Sequence, residues 1–235
     1  SQAAIEAAIE AFVSVGPGRE ADLSMVVEDL FAQVHQRLQE YRDRNGIERF
    51  GTTLALAIFQ KNRVLCANIG DTRIYRFDGR SLSQCSHDHT VVGELTRTGR
   101  ITLDDARRHP QRHVLTRALT GENEFAPPFV QIIPLTPGDI FLIGTDGLYN
   151  MVDEGFIAAT LAEHCLEEAG ERFLKQAFAN GATDNITFQL IKTENADQPL
   201  AQETGSAGCA GAISIEYAFS MAIATVLLIG VKALF

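Results

Sequence analysis

No two cysteines in this sequence are spaced as in a zinc site or a redox motif: Cys66, Cys85, Cys165 and Cys209 stand singly. They read as reduced core or surface thiols, which points to a reducing compartment. Basic patterning is missing as well. Thirty Asp and Glu against 20 Lys and Arg leave a formal charge of -10 and a pI near 5.0, with no basic stripe to offset the acid. A phosphate backbone needs such a stripe, which argues against a nucleic-acid partner. The first residue is Ser1 and not Met, with neither a charged start nor a signal-type apolar run after it, so the chain reads as processed, as an expression product or as a fragment. A disordered composition is also absent. With 46% hydrophobic and 21% charged residues, 235 residues suffice for the core of one globular domain plus an appendage.

Against this background two aspartates stand out, each where an apolar strand meets a loop. Asp146 closes the run Asp139-Ile-Phe-Leu-Ile-Gly-Thr-Asp146-Gly-Leu148, and Asp184 opens Asp184-Asn-Ile-Thr-Phe-Gln-Leu-Ile191. A carboxylate at the end of a buried strand is costly without a partner, and a hard divalent cation is the cheapest partner for two that converge. Each has a plainer reading in isolation: Asp146-Gly147 as a strand-end turn, Asp184-Asn185 as loop chemistry.

The remaining pattern places these positions in a mixed fold. Ala4, Ile5, Ala8, Ile9 and Phe12 predict an amphipathic helix over Ser1–Val15, ended by Gly16-Pro17-Gly18. A second helix is predicted from Asp22 to about Arg44, with Val26, Val27, Leu30, Phe31, Val34 and Leu38 as its apolar stripe. Strands follow at Gly51–Phe59, Arg63–Ile69, Thr72–Phe77 and Arg80–Cys85, the last two joined by the hairpin dipeptide Asp78-Gly79. From Asp88 to Leu119 short helices and basic loops are expected, one starting at Thr102 and ending before Pro110. Strands at Phe129–Leu135 and Asp139–Gly144, helices at Asp153–Glu168 and Glu171–Ala179, and a strand at Ile186–Ile191 complete the pattern. Blocks of strands and helices without strict alternation indicate an α+β fold with antiparallel sheets. Residues 193–211 read as a flexible linker. Residues 212–235 read as an apolar helix, and about 20 residues at about 1.5 Å each can cross roughly 30 Å of bilayer. A buried terminal core helix is the alternative.

Read in order, Gly51-Thr-Thr-Leu-Ala, Ala67-Asn-Ile-Gly-Asp71-Thr-Arg-Ile-Tyr75, Asp88-His-Thr90, His109-Pro-Gln-Arg112 with Val114-Leu-Thr-Arg-Ala-Leu119, Phe141-Leu-Ile-Gly-Thr-Asp146-Gly-Leu148 and Asp184-Asn-Ile-Thr187 resemble successive motifs of the protein phosphatase 2C family, bacterial type. The resemblance implies a two-layer antiparallel β-sandwich flanked by helices over residues 1–192. It also implies hydrolysis of phosphoserine and phosphothreonine in proteins, with a Ser/Thr kinase as the opposing partner. By the same resemblance Asp146 and Asp184 are carboxylate ligands of one ion in a pair of Mn2+ or Mg2+ ions, and Asp71 lies on or near a third, looser ion. Two such ions about 3.5–4 Å apart activate a water in line with the phosphorus, with no covalent enzyme intermediate. Oxygen donors without paired His or Cys suit Mg or Mn rather than zinc. Asp71 has a plainer reading too, accepting from Arg73 or a turn amide. His87, His89, His109 and His113 match no usual metal spacing and read as surface or flap histidines.

The family's opening Arg-bearing strand and its Asp-Gly-x-Gly-Gly segment, whose aspartate bridges both ions, are not in this sequence. The expectation is therefore little turnover by the chain as given. Gly211-Ala-Ile-Ser-Ile-Glu216-Tyr217 and the apolar residues after it resemble the processing site of Flp-type type IV pilins. That implies a cytoplasmic domain anchored to the inner membrane by the C-terminal helix, with a prepilin peptidase as partner. Two other function classes compete: a non-catalytic regulatory module of the same fold, and a pilin-like membrane assembly protein carrying this domain.

Overall fold

The computed structural model describes residues 23–47, 50–60, 62–120, 122, 125–193 and 226–233. The helix expected over Ser1–Val15, nearly all of the 193–211 linker and the pilin-like motif lie outside these residues.

Helix α1 (Leu23–Asn45) buries one stripe, Val27, Leu30, Phe31, Val34 and Leu38, at the 3-, 4- and 7-residue spacing of a helix lying on a core. It ends where the Ile47 amide closes on Arg42 O (3.1 Å) and the Asn45 side chain donates to Tyr41 O (2.7 Å). Strands β1 (Thr52–Gln60), β2 (Arg63–Ile69), β5 (Phe129–Pro134) and β8 (Val226–Ala233) form one sheet in the order β5-β2-β1-β8. Strands β3 (Arg73–Phe77), β4 (Leu82–Gln84), β6 (Ile140–Gly144) and β7 (Phe188–Lys192) form the second, in the order β4-β3-β6-β7, and the pairs in both sheets are antiparallel.

Alternation along each strand divides the core into three layers. Leu54, Leu56 and Ile58 of β1 face α1, while Ala55, Ala57 and Phe59 meet Phe141, Ile143 and Ile191 between the sheets. Ile140, Leu142 and Leu190 turn outward against α5 (Glu154–Glu163) and α6 (Leu166–Ala179), which contribute Ile157, Leu161, Phe173 and Ala177. Because β1 and β6 are covered on both faces, they read in the sequence as continuous apolar runs. A sandwich flanked by helices, as expected, is what the chain forms.

Three local readings change. Asp153–Glu168 is not one helix: Asp153 caps α5, the backbone is extended at His164, and α6 begins at Leu166. Asp146 is the first residue of a one-turn helix, α4 (Asp146–Tyr149), rather than a simple turn. The helix expected over 212–235 does not extend through its last part, where Val226–Ala233 is a strand paired with β1 from Phe59↔Val226 to Thr52↔Ala233. Val226, Ile229 and Val231 are β-branched residues that favour a pleated surface, and β1 offers an open hydrogen-bonding edge. Among the described residues no helix is long and apolar enough to cross a membrane.

Candidate metal centre

The two strand-end aspartates come together because β6 and β7 are neighbours. Gly144 pairs with Phe188, so the residues just after β6 and just before β7 leave the sheet at the same end. Thr145 clamps that end: its amide donates to Thr187 O (3.0 Å), and its hydroxyl donates to Thr187 O (3.3 Å) while accepting from the Thr187 amide (3.3 Å). Gly147 then packs directly on the backbone of Asn185, where a Cβ would collide with the Asn185 carbonyl. The Asp146 turn and the Asp184 loop are thus in contact through a glycine no other residue can replace without movement. Asp146 is buried, whereas Asp184 is exposed and its Oδ1 accepts from the Asn185 amide at 2.7 Å.

Asp71 arrives from the other direction, at the turn between β2 and β3. Gly70 adopts φ +96 and sits so close to Thr53 that a side chain would strike it. Asp71 is 3% exposed and its Oδ1 is shielded from solvent. Tyr149, in the same helical turn as Asp146, donates its hydroxyl to Asp71 O at 2.9 Å. Burial, followed by the negative charge of Asp71 and a smaller contribution from Asp146, holds the Tyr149 phenol well above its ordinary range.

A cation anchors this turn from outside. The Arg73 guanidinium lies 3.9 Å over the Tyr149 ring centroid, grips Asp88 with Nε (3.1 and 3.0 Å) and Nη2 (2.6 Å), and donates through Nη1 to Tyr75 Oη at 2.8 Å. The sequence allowed Arg73 as a partner for Asp71, but its fork is given to Asp88, 15 residues on.

His89, which its spacing assigned to the surface or flap histidines, is buried. It is 2% exposed, its amide donates to Gly70 O (3.0 Å) and its Nδ1 accepts from the Gly70 amide (3.1 Å). An acceptor nitrogen cannot carry a proton, and burial, with Arg117 and His87 nearby, pulls its pKa down to about 4. His87 stacks on it at 5.7 Å, while His113 is exposed.

The donors suit a hard divalent cation in kind, since they are carboxylates at strand ends with two of the three buried. Among the described residues, however, no group of three or more His, Cys, Asp or Glu side chains is close enough to hold an ion. The structure therefore brings the Asp146 and Asp184 loops into contact and ties Asp71 to the Asp146 turn, short of a closed ligand set. Tyr149 is the supporting residue that sequence reasoning missed, although it lies one helical turn after Asp146, while Arg73, Asp88 and Thr145 stood in the quoted motifs without these supporting roles.

Comparison with known proteins agrees with this architecture. The profile of protein phosphatase 2C matches residues 1–192. Serine/threonine phosphatase stp of Listeria welshimeri is 35% identical over 167 residues, covering 71% of this chain and 65% of that protein. Protein phosphatase PhpP of Streptococcus pneumoniae R6 is 30% identical over 164 residues, covering 69% of this chain and 66% of that protein. The chain thus spans just under two thirds of the length of the Listeria welshimeri relative. Among solved structures, the Mycobacterium tuberculosis serine/threonine phosphatase PstP/Ppp superposes with a TM-score of 0.72 at 30% identity, covering 80% of each chain. A PstP catalytic domain in complex with two manganese ions gives 0.68 at 26% identity, covering 81% of this chain and 79% of that one. The chain belongs to the protein phosphatase 2C family.

Proposed function

We propose that this chain is part of a metal-dependent phosphatase that removes phosphate from phosphoserine and phosphothreonine in proteins. The observation that carries the reading is the contact of the Asp146 turn with the Asp184 loop through Gly147, at the sheet end to which Tyr149 also ties Asp71. Asp146 and Asp184 would hold one Mn2+ or Mg2+ ion, and Asp71 would lie at or near a further one. Such ions supply a nucleophilic water at neutral pH and neutralise phosphate charge. The protein's own part is to hold its carboxylates where they cannot relax. Thr145 fixes the β6 end, Gly147 fixes the distance between loops, and Tyr149 fixes the Asp71 turn. A Ser/Thr kinase acting on the same proteins is the functional counterpart.

The competing reading is a non-catalytic regulatory or binding module of the same fold. Calorimetry with Mn2+, together with phosphate release from a phosphothreonine peptide, separates the two. The phosphatase reading expects Mn2+ binding that weakens at least tenfold in Asp146→Asn and in Asp184→Asn, and turnover, however slow, that EDTA abolishes. Peptide binding without either effect supports the module instead.

A further inference from the structure

The acid excess of the chain is not uniform. Between Val91 and Leu119, an insertion containing helices α2 (Val91–Arg97) and α3 (Leu103–Arg108), the sequence places six arginines against Glu94, Asp104 and Asp105, a local excess of positive charge in a chain of -10. Every cation there is arginine, with no lysine among them. The carboxylates are already engaged: Glu94 pairs with Arg97 at 2.7 Å and Asp104 lies 3.9 Å from Arg107. Asp105 caps its own helix by accepting from the Thr102 hydroxyl (2.6 Å) and amide (3.1 Å). Arg100, Arg108, Arg112 and Arg117 are exposed and, among the described residues, have no carboxylate within ion-pair distance.

The insertion is rooted beside the candidate metal centre. The Thr116 amide donates to His89 O (2.8 Å) and the Val91 amide to Val114 O (2.9 Å), closing its two ends on each other. His89 in turn exchanges two hydrogen bonds with Gly70, the residue preceding Asp71. The two ends of the insertion are therefore held next to the Asp71 turn. The planar guanidinium fork matches carboxylates in two-point contact, which an ammonium cannot do. The net negative charge of the rest of the sequence disfavours an acidic partner there and favours its approach to this insertion.

We propose that the arginines of the 91–119 insertion form a docking surface for acidic residues flanking the phosphorylated position of a substrate protein, which rests on the phosphatase reading above. The surface selects among phosphoproteins by the charge of their flanks. An anionic membrane is a weaker occupant, because the exposed large apolar side chains that accompany the arginines here are Leu103 and Val114 alone, too few for an inserted apolar face.

Fluorescence polarisation tests this with phosphothreonine peptides carrying acidic, neutral or basic flanks, read as binding so that no turnover is needed. The acidic peptide should bind about tenfold more tightly than the neutral one at low salt and lose that advantage at high salt. The double variant Arg108→Glu, Arg112→Glu should remove the advantage and leave the neutral peptide's affinity and the melting temperature where they were. Equal affinity for acidic and neutral peptides, or an equal loss for both in the variant, overturns the proposal. Preferential binding of phosphatidylglycerol vesicles that the acidic peptide does not displace overturns it in favour of a membrane. A failure of Mn2+-dependent phosphate release strikes the phosphatase reading and leaves the charge preference to be decided by binding.

Discussion

The Tyr149 hydroxyl donates to the backbone carbonyl of Asp71 at 2.9 Å, linking the one-turn helix that begins at Asp146 to the turn between β2 and β3. Two residues 78 apart in sequence thereby set the spacing of two buried aspartates. Tyr149→Phe removes this single bond while keeping the ring under Arg73. The expected cost is about 1 kcal/mol, equivalent to a fall of about 2–4 °C in Tm for a chain of this size, measurable by scanning calorimetry. An unchanged Tm would show that the bond contributes nothing.

Arg73 should tolerate substitution far less well. Removing it leaves Asp88 poorly solvated and Tyr149 without its cation, since the two side chains of the pair are 22% and 15% exposed. Arg73→Ala is expected to destabilise by about 3 kcal/mol, and Arg73→Lys to recover only part of that, because lysine keeps the charge but not the fork. Urea denaturation of both variants, alone and with Asp88→Asn, measures the coupling. Additive effects would contradict it.

Replacing Gly147 by alanine drives a Cβ into the Asn185 carbonyl. The loops must separate, at a cost of about 1–3 kcal/mol. Because the shift falls between Asp146 and Asp184, Mn2+ affinity should drop by at least tenfold in calorimetry. Affinity equal to the parent chain would mean that the contact does not govern the spacing of the carboxylates.

His89 makes stability depend on pH in one direction. Its folded pKa of about 4 lies below the ordinary 6.5, so between these values the unfolded chain binds the extra proton. The stabilisation is fully present above pH 6.5 and is lost as pH falls toward 4. His89→Asn keeps an oxygen acceptor for the Gly70 amide but does not titrate. Urea midpoints collected from pH 7 to pH 4 should fall more steeply for the parent than for this variant, and parallel curves would exclude His89 as the source.

Much of the fold was legible because its signals are local. The stripe from Val27 to Leu38, the Asp78-Gly79 turn and the apolar runs of β1 and β6 each report how a short segment must bury its own side chains. Helix boundaries near His164 were less visible, since Glu163 to Glu168 holds good helix formers on both sides of the break and only packing on the second sheet separates α5 from α6. The 226–233 segment was ambiguous for a related reason: an apolar run suits a membrane helix or a strand, and the open edge of β1 selected the strand.

By itself the sequence determined the α+β pattern, the order of motifs that marks the family, and Asp146 and Asp184 as acidic residues at strand ends, with Asp71 added by the resemblance. Only the tertiary structure decided that Gly147 presses the Asp146 turn onto the Asp184 loop, that Tyr149 rather than Arg73 holds the Asp71 turn, and that His89 is buried against Gly70. The difference is physical. Periodicity and turn chemistry act over a few residues and leave a trace in the chain, whereas these contacts join residues 19 to 78 positions apart and exist only once the two sheets have packed.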